Sequence, residues 1–217
     1  MSKEAKAPAS PKTTPASPKA PAISMDPKFT GRLTGTLLGI CAVVALLLGI
    51  TNYATEPIIT QMQAEKTRAA MTQVLPAETY EELSLDMPNV SAFYAAYNSN
   101  SGDKAVLAGY VVETTANGSQ GVIRMVVGVD MDGNVTGVSV TKHSETANLG
   151  TKVVNDQSVL DRFIGMSHEK GEITVNAGTN RFDGVSGATV SSRGVTAGVN
   201  TALDAFAHRD AAVKKEG

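Results

Sequence analysis

The first long pattern in the chain is apolar and unbroken. Between Leu33 and Thr51 no charged residue occurs, and Leu37, Leu38, Ile40, Val43, Val44, Leu46, Leu47, Leu48 and Ile50 would surround any helix drawn through them. At about 1.5 Å per residue, roughly 20 such residues cross the hydrocarbon core of a bilayer. The stretch therefore predicts one transmembrane helix over 33–53. A cleavable signal peptide would have a shorter apolar core, about 7 to 15 residues, followed by a small-residue cleavage site. Ala54 and Thr55 offer only a weak version of that site.

Beyond this run the periodicity changes. Met62, Ala69, Ala70 and Val74, set among helix formers, predict a helix over 62–75 that ends at Pro76, so 56–89 reads as a helical stalk and connection. Residues 92–97, 106–114, 121–129 and 135–141 then alternate as strands. Ile123, Met125, Val127 and Val129 share one face, as do Val138 and Val140. Turn-forming residues at 98–103 and 130–134 separate the strands, which predicts an antiparallel meander. Val159, Leu160, Phe163 and Ile164 predict a short amphipathic helix, and Ile173 with Val175 a further strand. Val195, Val199, Leu203 and Phe206 mark the buried stripe of a closing helix. Gly194 and Gly198 each weaken that helix by about 1 kcal/mol relative to Ala, either offset by close packing or tolerated at a surface. The charged end from His208 to Lys215 is expected to be solvated. The fold class is α+β: an antiparallel sheet with packed helices over 90–210, anchored by one N-terminal transmembrane helix.

Composition and charge add location. The 217 residues, 42% hydrophobic with a formal net charge of -2, suit one domain plus appendages and lack the basic footprint of a nucleic-acid binder. A single cysteine, Cys41, excludes an internal disulfide and is expected to be a small buried hydrophobe. Residues 1–29 are rich in Ala, Pro, Ser and Lys, which predicts a disordered tail. Its prolines suit a transit-peptide helix badly. Lys3, Lys6, Lys12, Lys19 and Lys28 face only Glu4 and Asp26, and Glu56 follows the apolar run. The positive-inside rule then leaves the tail in the cytoplasm and the domain outside, as a single-pass protein of the cell membrane.

Two segments carry candidate chemistry. The polar loop 143–152 contains His143 and Glu145, but the spacing does not make a helical metal face and no third ligand accompanies them, so no metal site is expected. The second segment is Asp183, Gly184, Val185, Ser186, Gly187, Ala188, Thr189, Val190, Ser191, which leads into the closing helix. Gly187 and Ala188 let a bulky group approach the backbone, and the amides opening a helix favour an anionic phosphate. A plain turn with a hydroxyl cap is the alternative. A neutral Thr hydroxyl is a poor nucleophile, so modification of Thr189 would need a partner enzyme acting on an exposed loop.

The run Asp, two residues, Ser, Gly, Ala, Thr, one residue, Ser resembles the recognition motif of the bacterial flavin transferase. That resemblance implies FMN joined by a phosphoester to Thr189. Glu145, Thr146, Leu149 and Gly150 likewise match a His-x-Glu-Thr-Pro-Gly-Leu-Gly loop that lies against the flavin, with Ala147 and Asn148 where Pro and Gly are usual. With the basic tail and single span, the order of parts resembles the G subunit of the Rnf complex. The resemblance implies an electron-transfer subunit of an ion-translocating ferredoxin:NAD oxidoreductase that pumps sodium ions or protons, partnered by other membrane subunits and by the flavin transferase. It further implies phosphate contacts from Ser186 and Ser191, ring or ribityl contacts from Glu145 and Thr146, an apolar wall from Leu149, and a transferase contact at Asp183. No residue is expected to act as a catalytic acid or base. The related C subunit of the sodium-pumping NADH:quinone oxidoreductase has the same plan and is an alternative. So are a membrane-anchored FMN carrier feeding a separate extracytoplasmic reductase and an anchored module without cofactor. No acidic residue lies between Leu33 and Thr51, so this chain alone shows no ion pathway.

Overall fold

The computed structural model describes residues 27–100 and 104–214, and the chain divides into two units, Met1–Thr55 and Glu56–Gly217. The predicted tail over 1–29 lies outside the described residues as far as residue 26, as do residues 101–103 of the first predicted turn and Lys215.

Helix α1 (Pro27–Val74) is assigned without a break, so the two helices that the pattern separates are one element, and the unit boundary falls within it. It is long and apolar enough to cross a membrane by length and composition. Leu38, Leu46 and Leu48 are each more than 60% exposed, and Cys41, expected to be buried, is exposed too. Thr36 and Thr51 turn their hydroxyls back onto the carbonyls of Leu33 and Leu47, both at 2.9 Å. These two hydroxyls are thus satisfied within the helix, as a hydrocarbon environment would demand.

In the second unit six strands form one antiparallel sheet: β1 (Thr79–Ser84), β2 (Val90–Asn100), β3 (Lys104–Asn117), β4 (Val122–Asp130), β5 (Val135–Lys142) and β8 (Val213–Lys214), in the order β5-β4-β3-β2-β1-β8. The meander is as expected, but the two strands beyond β2, β1 and β8, were not. β1 is a half-buried partner of β2, with β8 on its other side, and its two adjacent glutamates blur its alternation. The chain end, expected to be solvated, instead pairs Val213 with Ser84 and Lys214 with Leu83.

Both faces of the sheet are covered. One carries Phe93, Val112, Ile123, Met125, Val127, Val129 and Val138 against Val195, Val199, Ala202 and Leu203 of α4 (Thr189–Ala207). Along one edge of that core lie α2 (Thr151–Val154), α3 (Gln157–Leu160) and a parallel pair of two-residue strands, β6 (Thr174–Val175) and β7 (Arg181–Phe182). There Phe163 and Phe182 stack with ring centroids 4.1 Å apart. Phe206, the last member of the predicted stripe, is only half-buried and sits edge-on to Tyr110. The other face packs Ala96, Val111 and Val126 against Ala70, Met71, Val74 and Leu75. Gly128 and Gly137 lie opposite each other in register beneath that helix end, and a Cβ on Gly137 would fall 2.9 Å from the Val74 Cα. Two facing glycines thus let α1 come down onto the strands. Such burial contributes roughly 25 cal/mol per Å² of apolar surface, which is why both layers resist loss of a single side chain poorly.

Candidate functional site

The cleft at the N-terminus of α4 is built by three segments. Ala188 occupies the cap position with φ -123° and ψ 35°, and no side chain caps the helix. Thr189, its first residue, is exposed, and so is Val190, at 54%. The helix thus begins with free amides at its partially positive end. Gly187 stands immediately before it at φ +81°, a left-handed conformation that side chains disfavour. Behind the loop, Ala188 N donates to Val185 O at 3.0 Å, and Val185 N donates to the buried Ser192 Oγ at 3.2 Å. These bonds tie the turn to the helix it opens.

The loop from His143 to Gly150 forms the second wall. Glu145 N donates to His143 Nδ1 at 3.3 Å, so the ring proton sits on Nε2 and is given to Asn155 Oδ1 at 2.9 Å. Asn148 adopts φ +63°, filling with an asparagine the left-handed position where the resembling loop has glycine. Its N–H donates to Thr151 Oγ1 at 2.9 Å. Leu149, 50% exposed, projects at the cleft, and the nearest atom to a Cβ on Gly187 would be its Cδ2, at 3.9 Å.

The third segment is the turn after β3. Ser119 N and Gln120 N donate to Glu145 Oε1 at 2.7 and 3.3 Å, while the other oxygen, Oε2, accepts a short hydrogen bond from Ser191 Oγ. Glu145 is 8% exposed and Ser191 1%. Gly118 and Gly150 leave the room, since a Cβ on either would collide with the Glu145 carboxylate.

Together these walls enclose about 330 Å³, lined by Ser119, Glu145, Thr146, Leu149, Gly150, Gly187, Ala188, Thr189, Val190 and Ser191. Eight of the ten residues singled out in the sequence meet there. The other two do not: Ser186 is exposed outside it, and Asp183 is exposed, held by Arg181 Nε at 2.9 Å, with its carbonyl accepting from Arg162 Nη1 at 3.1 Å. Ser191 is present but its hydroxyl hydrogen is already given to Glu145. Ser119 and Val190 were missed. Val190 sat in the variable position of the motif, and Ser119 reaches the cleft only through a hairpin whose register the sequence does not fix.

The arrangement suits a phosphorylated, partly apolar ligand. A volume within the roughly 300–1,000 Å³ of small-molecule sites, two exposed aliphatic walls and an uncapped helix mouth would accommodate FMN, and an exposed hydroxyl stands at that mouth. The site and fold are thus those of a domain suited to a flavin nucleotide, in a chain whose first helix is long and apolar enough to cross a membrane.

Sequence comparison narrows this further. The FMN-binding domain family matches residues 118–204, from the turn that meets Glu145 to the last part of α4. The chain is 32% identical over 186 residues to the G subunit of the ion-translocating oxidoreductase complex of Methanosarcina acetivorans, covering 82% of this chain and 95% of that one. It is 30% identical over 203 residues to the G subunit of the Na(+)-translocating ferredoxin:NAD(+) oxidoreductase complex of Acetobacterium woodii, covering 85% and 95%. Among solved structures it is similar to NqrC of Shewanella oneidensis, at 23% identity and a TM-score of 0.43 over 58% of this chain and 65% of that one. The chain belongs to the family of G subunits of ion-translocating oxidoreductase (Rnf) complexes.

Proposed function

We propose that this chain is the electron-carrying flavin subunit of an Rnf-type complex, which couples ferredoxin:NAD electron transfer to translocation of sodium ions or protons, and that it holds FMN through a phosphoester to Thr189. The observation that supports it most is the position of Thr189: an exposed hydroxyl on the first residue of an uncapped 19-residue helix, at the mouth of the cleft. FMN, when bound, supplies one- and two-electron transfer. The chain's own residues bind and orient it. Amides at the start of α4 offset the phosphate charge. Leu149 and Val190 give apolar surface to the ring, Gly187 and Ala188 admit it, and Thr146 with Gly150 lines the floor. Ser186, exposed beside the mouth, is the remaining hydroxyl donor for the phosphate, and Asp183 is a contact for the flavin transferase that activates Thr189. A covalent bond prevents loss of the cofactor on the outer side of a membrane.

The same reading assigns 1–29 to the cytoplasm, 33–53 to the membrane, 56–89 to a stalk and connection, and 90–210 to the extracytoplasmic flavin domain, in contact with other membrane subunits of the complex. Lysines on the N-terminal side of the span support this orientation. Protein produced with an active flavin transferase should be yellow and fluoresce under ultraviolet light after denaturing electrophoresis, and Thr189→Val should lose the fluorescence. Undiminished fluorescence of Thr189→Val would place the attachment elsewhere.

A further inference from the structure

The family resemblance implies that Glu145 touches the flavin, but its hydrogen bonds point to a different task. Two segments far from it in sequence converge on this one carboxylate, Ser119 N and Gln120 N from the β3–β4 turn on Oε1 and Ser191 Oγ from the first turn of α4 on Oε2, while its own backbone N–H is fixed on His143 Nδ1. Every bond that it makes through its side chain is accepted. Two glycines, Gly118 and Gly150, are spaced around it so tightly that a methyl group on either would strike its oxygens. A site built around a carboxylate in this way fixes geometry. It also leaves a buried acidic group lining the cleft where Thr189 opens.

We propose that Glu145 is a positioning residue of the flavin site: acting through Ser191, it holds the first turn of α4 against the β3–β4 turn, so that Thr189 and its neighbouring amides face the cleft, and its charge lowers the reduction potential of the bound flavin. This rests on the reading of Thr189 as the attachment residue. A fixed negative charge in a partly water-excluded site opposes addition of an electron nearby, and that effect is distinct from any change in packing. Ser191, on the same account, serves Glu145 and not the phosphate.

The test uses the full-length chain in detergent, produced with the flavin transferase, as wild type, Glu145→Gln, Glu145→Ala, Ser191→Ala and the Glu145→Ala/Ser191→Ala double variant. Glutamine keeps an acceptor for the Ser119 and Gln120 amides and can donate to Ser191 Oγ, so it should retain most of the covalent flavin. Its midpoint potential in spectroelectrochemical titration should move to more positive values. Glu145→Ala should lose flavin occupancy severalfold by intact mass, Ser191→Ala should lose it in the same direction, and the double variant should be no worse than Glu145→Ala alone. Full occupancy in Glu145→Ala, or an unmoved potential in Glu145→Gln, would overturn the proposal. Amide hydrogen exchange on flavin-free Thr189→Val protein separates it from the attachment reading. With Glu145→Ala added, protection of the Ser119, Gln120 and Ser192 amides should fall, whether or not Thr189 is the flavin residue. Unchanged protection there sinks the positioning role, whereas absence of flavin from the wild type sinks only the attachment.

Discussion

Thr136 Oγ1 donates a 2.6 Å hydrogen bond to the carbonyl oxygen of Val74, joining the last residue of α1 to β5. A helix ends with carbonyls that its own backbone cannot satisfy, and here a strand supplies the missing donor. Thr136→Val keeps the branched shape and removes the hydroxyl, leaving the carbonyl without this partner. The expected cost is about 1–2 kcal/mol, read as a lower thermal midpoint of the detergent-solubilised chain. An unchanged midpoint would show that solvent replaces the hydroxyl without loss.

Gly194 and Gly198 separate two kinds of close packing. Both are buried, and a Cβ at Gly194 would lie 2.6 Å from the backbone oxygen of Asn117, whereas one at Gly198 would meet the Met125 Cε and Sδ at 2.6 Å. A backbone oxygen cannot move aside cheaply; the end of a methionine can. Gly194→Ala should therefore destabilise by about 1–3 kcal/mol even after its gain of about 1 kcal/mol in helix propensity. Gly198→Ala should cost clearly less. Denaturant titration of the two variants in parallel decides it, and a larger loss at Gly198 contradicts the account.

Glu113 gives a pH dependence. Burial pushes its carboxyl above the ordinary glutamate range, and the Arg124 guanidinium, 3.6 Å away and half-exposed, pulls it back only in part. A raised folded-state value means that Glu113 contributes stability fully below the unfolded glutamate value, about 4.3, and that this contribution is lost as pH rises through the folded value. Glu113→Gln should thus stabilise the protein at neutral pH relative to wild type, and the advantage should disappear in acid. Thermal midpoints compared across pH 4 to 8 provide the measurement; an advantage that grows toward low pH would reverse the sign.

Much of this organisation is legible in the sequence because it rests on local signals. The apolar run from Leu33, the alternation through Ile123, Met125, Val127 and Val129, and the stripe at Val195, Val199 and Leu203 each bury or expose a face that period alone predicts. What escaped depends on distant partners. Val126 lies on the opposite side of β4 yet is as buried as its neighbours, because the end of α1 covers it. β1 gains its strand conformation from pairing with β2, since Glu81 and Glu82 interrupt any clean pattern. At the site, Glu145 and Ser191 were both singled out, but as two flavin contacts. That they bond to each other, 46 residues apart, follows only from the fold that brings the loop to the helix.

The central claim is the bond to Thr189, and it can be read at single-residue level. Cleavage after Arg181 and Arg193 releases the peptide from Phe182 to Arg193, which contains Thr189 together with Ser186, Ser191 and Ser192. For protein made with an active flavin transferase, this peptide should carry the mass of FMN less one water, and fragmentation should place that mass on Thr189. An unmodified peptide, or the added mass on one of the serines or on another peptide, would contradict the account.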